Sequence, residues 1–163
     1  MLKQYINPES PETLHAINQL IVRLVFCLYA EDSGLFGHKM AFHDYLEHFE
    51  SRDFRKALIE LFEVLDTPIA ERAPCLDDEL ASFPYVNGGM FAEKNIEIPN
   101  FTNELKDLFL QHASSGFDWS DISLTIFGAM FESTLNTETR RSGGMHYTIP
   151  LLRIFIRLLT LYS

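Results

Sequence analysis

The chain has 163 residues, 47% of them hydrophobic, with 14 Phe, six Tyr and a single Trp. That is enough apolar mass for a real core, and it excludes a disordered or fibrous polymer. The 13 basic and 23 acidic side chains leave a formal charge of −10, which excludes a dispersed grip on nucleic acid, because phosphate neutralisation requires a Lys/Arg surface.

Met1 to Asn7 contain no apolar leader, and the longest apolar run, Leu20 to Ala30, is broken by Arg23 and falls short of the roughly 20 residues a bilayer requires. No membrane partner is expected. Cys27 and Cys75, 48 positions apart, read as reduced thiols of a cytoplasmic protein. Ser10-Pro11-Glu12 has the chemistry of a helix start: a capping hydroxyl, proline at the first helical position and an acid at the positive end. Leu14, Ile17, Leu20, Ile21, Leu24 and Leu28 keep the 3.6 period, while Val22, Val25, Phe26 and Cys27 add apolar surface on other faces. This helix should be central, run to between Ala30 and Asp32, and end at Ser33-Gly34.

Phe42, Tyr45, Leu46 and Phe49 predict a short amphipathic helix. Phe54, Ala57, Leu58, Leu61, Phe62 and Leu65 predict a longer one, stopped by Thr67-Pro68. Asp77 to Phe83 predict a further helical turn or two before Pro84, and Tyr85 to Phe91 a tight turn between aromatic anchors. Ile96 and Ile98 suit a short strand. Thr102 is placed to cap a helix carrying Leu105, Leu108 and Phe109, which Ser114-Ser115-Gly116 closes; a domain boundary is expected there. Beyond Asp118-Trp119-Ser120, Ile122, Ile126, Phe127, Met130, Phe131 and Leu135 predict another helix, followed by an exposed polar loop over residues 136–145. With no alternating βαβ pattern the expected fold class is all-α, mainly a helical bundle with at most one short β-hairpin or strand pair.

No complete active site is visible. His38, His43 and His48 recur every five residues, which rotates each by about 140° on a helix, whereas metal ligands pair at i, i+3 or i, i+4. No metal is therefore expected. Glu104-Leu105-Lys106 imitates the Glu-x-Lys of metal-dependent nucleases but falls in a predicted helix, where a solvated face explains it. No glycine pattern surrounds a serine as in a nucleophile elbow, and neither cysteine has a histidine beside it. Gly88-Gly89 and Gly143-Gly144 are turn-like pairs and not phosphate cradles. Arg140-Arg141, in the polar loop, has the charge to contact a phosphate or a partner's carboxylate. The acids all precede Arg140, so residues 1–139 carry −14 and residues 140–163 carry +4.

Certain strings are more specific than composition: Leu20-Ile21-Val22-Arg23-Leu24-Val25-Phe26-Cys27-Leu28-Tyr29-Ala30-Glu31-Asp32, Phe83-Pro84-Tyr85-Val86-Asn87-Gly88-Gly89, and Phe117-Asp118-Trp119-Ser120 leading into Thr125-Ile126-Phe127-Gly128-Ala129-Met130-Phe131-Glu132-Ser133. From about Ser10 to Thr148 the chain resembles the MmeI-like single-chain type II restriction-modification enzymes. In these a helical spacer joins a nuclease to an adenine-specific DNA methyltransferase domain. Arg140-Arg141-Ser142-Gly143-Gly144-Met145-His146-Tyr147-Thr148 is similar to the beginning of that methyltransferase domain. The resemblance implies that His146, Tyr147 and Thr148 correspond to a motif near the methionine end of S-adenosylmethionine. It supplies no complete site: the glycine-rich turn of a doubly wound sheet and the Asn-Pro-Pro-aromatic tetrapeptide that such chemistry needs do not occur here.

The resemblance stops at Ile149, where the family continues with a string like Ser-x-Ile-Glu-Asn-Ile-His-Lys-Val-Ile-Asp-Pro-Leu-Phe. Synonymous codons exist for residues 149–163 that encode this string when read from the third base, so a frameshift at or just after Thr148 accounts for the tail. The other reading of the tail is a basic amphipathic helix with Arg153 and Arg157 one turn apart. The expected organisation is a spacer over 1–116, the start of a methyltransferase domain over 117–148 and an aberrant tail over 149–163. The expected function is that of a truncated piece of such an enzyme, with no catalytic residue and no cofactor bound by this chain. DNA and S-adenosylmethionine then belong to the parent enzyme, and bared apolar spacer faces favour self-association. A free-standing acidic interaction module, a DNA mimic or an inhibitor, is the alternative.

Overall fold

The structure is a computed structural model that describes residues 10–86, 89–123, 125 and 128. Ser10 has extended dihedrals, and its Oγ accepts the Thr13 amide at 3.1 Å, so a side chain answers one of the free N–H groups at the start of α1 (Pro11–Asp32). Leu20, Leu24 and Leu28 on one face are buried, and so are Val22, Cys27 and Tyr29 on others. The helix is therefore wrapped on most of its circumference, as its near-continuous apolar run requires. It stops where the Ser33 amide returns to the Tyr29 carbonyl at 2.9 Å and Gly34 turns to φ +76°, a conformation open to glycine because it has no Cβ.

Two helices then fold back: α2 (Ala41–Glu47), entered through Met40 at a left-handed φ of 66°, and α3 (Ser51–Asp66). A 3₁₀ turn (Ile69–Glu71) and the five-residue α4 (Asp78–Ser82), capped by Asp77 on the Glu79 amide at 2.9 Å, lead into a long irregular stretch. Thr102 caps α5 (Asn103–Leu108) through the Leu105 amide at 3.2 Å, and the helix continues as a π-helical turn (Phe109–Ser114). Trp119–Asp121 form a last 3₁₀ turn.

α1 packs against α2 and against the Trp119 turn, α2 against α3 and the π turn, and α3 against α4 and α5. Aromatic rings fill the seams edge to face: Phe42 on Phe109 at 6.0 Å, Phe36 on Phe83 at 5.1 Å and Phe26 on Phe91 at 5.7 Å. The all-α class holds. Ile96 and Ile98 are buried and alternate with exposed residues as a strand would, but they form no ladder among the described residues, because no extended neighbour lies alongside. Their stretch is extended chain held by side chains. Of the helix expected over Ile122–Leu135, Thr125 and Gly128 are helical and the rest lies outside the described residues, as does the loop over 136–145.

Candidate functional site

The residues that the family resemblance marks, His146, Tyr147 and Thr148, and the arginine pair Arg140 and Arg141, all lie outside the described residues. Within the described part, the functional groups with defined geometry are charged side chains that hold backbone. Arg23 leaves the middle of α1 only 3% exposed, donates from Nε to the Met90 carbonyl and from Nη2 to the Glu93 carbonyl, each at 2.9 Å, and lies 5.5 and 5.4 Å from the Phe62 and Phe91 ring centres. Burial lowers its pKa to about 10, against the pull of Glu93 and Asp66.

Arg72 does the same for another loop. Its guanidinium donates to the carbonyls of Val64, Thr67, Ala81 and Phe83 at 3.0, 3.1, 3.1 and 2.7 Å, closing the end of α3 onto the end of α4. Arg55 Nε holds the Ile98 carbonyl at 2.7 Å, and Lys106 Nζ donates to the carbonyls of Glu47, at 3.3 Å, and of Phe49. A solvated face does not describe Lys106: half-buried, it caps the C-terminal end of α2 from α5. Glu104 of the same triplet is exposed.

Two carboxylates at the end of α1 hold N–H groups in turn. Glu31 is fully buried; its Oε2 accepts the amides of Phe42 and His43 at 3.1 and 3.0 Å, and its Oε1 accepts the Ser114 hydroxyl at 3.0 Å. Desolvation raises its pKa, opposed by those three hydrogen bonds. Asp32 Oδ2 accepts the Trp119 amide at 2.7 Å, while the Trp119 indole N–H reaches the Ala113 carbonyl at 2.6 Å. Trp119 is 1% exposed, so the core of residues before Gly116 continues into the segment after it.

The remaining cations face acids: Arg52 lies 3.1 Å from Glu50 and 3.3 Å from Asp53, Lys56 3.5 Å from Glu60, and Lys94 3.9 Å from Glu63. Among the eight basic side chains described, Lys39 and Arg55 are exposed without such an ion pair, and Arg55 is committed to the Ile98 carbonyl. A phosphate finds no ready cationic patch there. His43 groups with Asp44 and Glu47, their ligating atoms within 4.8 Å, and not with His38 or His48; the latter faces Glu79 at 3.6 Å. Sequence reading missed Arg23, Glu31 and Arg72 as organisers. A charge inside or at the end of an apolar helix was the available signal for the first two, since a buried charge requires partners.

Residues 15–91 match the family model described as MmeI, helicase spacer domain. DNA methyltransferase A of Bacillus subtilis (strain 168) is 31% identical over 140 residues, covering 84% of this chain and 15% of that protein. A Type IIL restriction-modification enzyme, MmeI, solved in complex with DNA, aligns with a TM-score of 0.62 at 38% identity over 90% of this chain and 20% of its own. The chain thus spans a fifth or less of the length of these relatives.

Proposed function

With residues 15–91 forming an MmeI helicase spacer domain, in a chain of MmeI-like restriction-modification ancestry, we propose that this protein is the helical scaffold of such an enzyme and catalyses nothing alone. The observation that carries this reading is the use of its cations. Four of the eight described ones hold the protein's own carbonyls, stiffening loops between helices and leaving little positive surface for a substrate. A rigid, acidic connector suits the task of keeping a nuclease and a methyltransferase in fixed relation. The free-standing acidic module is not favoured, because its one support, the negative charge, belongs to a recognisable spacer.

On this reading, 1–116 is the spacer, 117–148 begins the methyltransferase domain and 149–163 is a tail read in a shifted frame. DNA and S-adenosylmethionine are ligands of the whole enzyme, in which His146, Tyr147 and Thr148 approach the cofactor and Arg140 and Arg141 contact a phosphate or a partner. The protein is cytoplasmic, and spacer faces left uncovered by neighbouring domains promote self-association. Among the described residues no helix is long and apolar enough to cross a membrane.

Isothermal titration of the full chain with S-adenosylmethionine, and fluorescence anisotropy with a labelled duplex, test the absence of catalytic equipment. Neither is expected to give a saturable signal up to about 100 μM at near-physiological salt. A saturable cofactor isotherm would overturn the reading. Nucleotide sequence across codon 148 decides the tail: continuation of the shifted frame into a glycine-rich turn and an Asn-Pro-Pro-aromatic motif is expected, and early stops in that frame would refute it.

A further inference from the structure

Arg23 uses only part of its hydrogen-bonding capacity inside the fold. A guanidinium carries its N–H donors in a planar fork. One edge of that fork, Nε and the near hydrogen of Nη2, is taken by the carbonyls of Met90 and Glu93, each at 2.9 Å. The end of the fork, where Nη1 and Nη2 point together, donates to no described residue, and among the described residues no carboxylate forms an ion pair with Arg23. The side chain is nevertheless 3% exposed and lines a cavity of about 80 Å³ whose walls include Phe62, Phe91, Ile96 and Ile98. Among the described residues no buried side-chain nitrogen or oxygen lacks a partner, so the unengaged Nη1 is open to that cavity. A cation so deeply buried, without a counter-ion and beside apolar walls, calls for an acceptor that also fills the space.

The two acids of the cavity are engaged elsewhere: Glu63 faces Lys94 at 3.9 Å, and Gln19 Nε2 donates to Glu93 Oε2 at 2.6 Å. We propose that this cavity binds a small aliphatic carboxylate, its two oxygens accepting from Nη1 and Nη2 of Arg23 and its alkyl tail lying between Phe62, Phe91 and the isoleucines. The end of a guanidinium fork matches a carboxylate in two parallel hydrogen bonds, the geometry that gives such pairs their strength. Lys94, exposed on the same cavity and only loosely paired, favours the approach of an anion. Size narrows the class further. An apolar cavity of about 150 Å³ admits benzene, so one of about 80 Å³ suits a carboxyl group with about one or two further carbons. Inorganic phosphate is a poor match, because its other oxygens would face apolar walls without donors.

Sodium propionate is the probe, titrated into the full chain against sodium chloride at constant ionic strength and followed by saturation-transfer NMR. Saturable binding is expected with a Kd on the order of 1–10 mM, as suits a ligand of few atoms. Propan-1-ol, of the same size and uncharged, should bind at least about tenfold more weakly, because it cannot answer a cation with two acceptors. Nuclear Overhauser contacts from the propionate methyl to the Phe62 and Phe91 rings should locate it. Arg23→Leu removes the donor but also orphans two carbonyls, so the deciding variant is Ile59→Trp. Ile59 lines the cavity and is 40% exposed, and the larger ring should fill the space and weaken binding about tenfold or more, with unchanged far-ultraviolet circular dichroism as the check on folding. No saturation up to about 50 mM, equal binding of propanol, contacts confined to other residues, or full affinity in a folded Ile59→Trp chain would each overturn the proposal. The cavity is built from the chain's own core whatever the chain scaffolds, so the outcome of the S-adenosylmethionine titration leaves this test unmoved.

Discussion

A buried carboxylate that serves three donors is judged by what its removal orphans. Glu31 answers two backbone amides at the start of α2 and the Ser114 hydroxyl at the end of the π turn, so it joins the three segments at one point. Replacing it by alanine leaves the amides of Phe42 and His43 without an acceptor in a dry site, at a cost of about 1–3 kcal/mol each. Glu31→Ala should therefore lower the unfolding free energy by roughly 3 kcal/mol or more in urea titration. Glu31→Gln keeps one oxygen for the two amides, and its NH₂ can donate to the rotatable Ser114 hydroxyl, so it should cost less than about 1 kcal/mol at pH 7. The pH dependence fixes the sign. Burial raises the folded pKa above the ordinary 4.5, so the folded state binds more protons than the unfolded one between those two values. The Glu31 contribution is then fully present below 4.5 and declines as pH rises to the folded pKa. The wild-type minus Glu31→Gln stability difference should fall across that window and be flat above it. A flat difference from pH 4 upwards, or a glutamine variant as damaged as the alanine one, would show that the carboxylate is not the organiser.

At the scale of the element, the π turn is where the helix after Thr102 is closed against α1. Ser115 donates its amide to the Leu110 carbonyl at 3.0 Å, and the chain then passes Gly116 so closely that a Cβ there would lie 2.8 Å from the Gln111 carbonyl and 2.9 Å from that of His112. Both obstacles are backbone and cannot swing aside. Gly116→Ala should cost about 1–3 kcal/mol as the turn is forced open. The chain's one tryptophan reports it directly: Trp119 is held by the Ala113 carbonyl inside that turn, so its emission should shift to the red in the variant. An unshifted spectrum with full stability would mean that the turn has slack. The helices themselves were legible, because capping residues and the 3.6 period act within a few positions: Ser10, Asp77 and Thr102 cap α1, α4 and α5 as their chemistry suggests. The stretch over Ile96 and Ile98 was not, because strand and tethered coil share the same alternation and differ only in whether another strand or a distant Arg55 takes the carbonyl. Arg72 was equally hidden. Its four carbonyls become neighbours only after α3 and α4 have closed, and no spacing in one dimension announces them.

The whole molecule combines two kinds of electrostatics that salt separates. Arg23, Arg72 and Lys106 hold carbonyl oxygens at short range, buried or partly so, where mobile ions screen poorly. The surface is different: residues 1–139 carry −14, and the exposed ion pairs of Arg52, Lys56 and Lys94 contribute little individually. Net repulsion among surface acids opposes the compact state and is screened over about 10 Å at 0.1 M salt. Raising sodium chloride from 20 mM to 500 mM should therefore stabilise the fold, with an increase in Tm of a few degrees, on the order of 1 kcal/mol. A falling Tm would show that exposed ion pairs contribute more than the −14 repulsion opposes. The expected rise follows from where the charges lie, cations on the protein's own carbonyls and surface acids in excess, and it needs no knowledge of the larger enzyme.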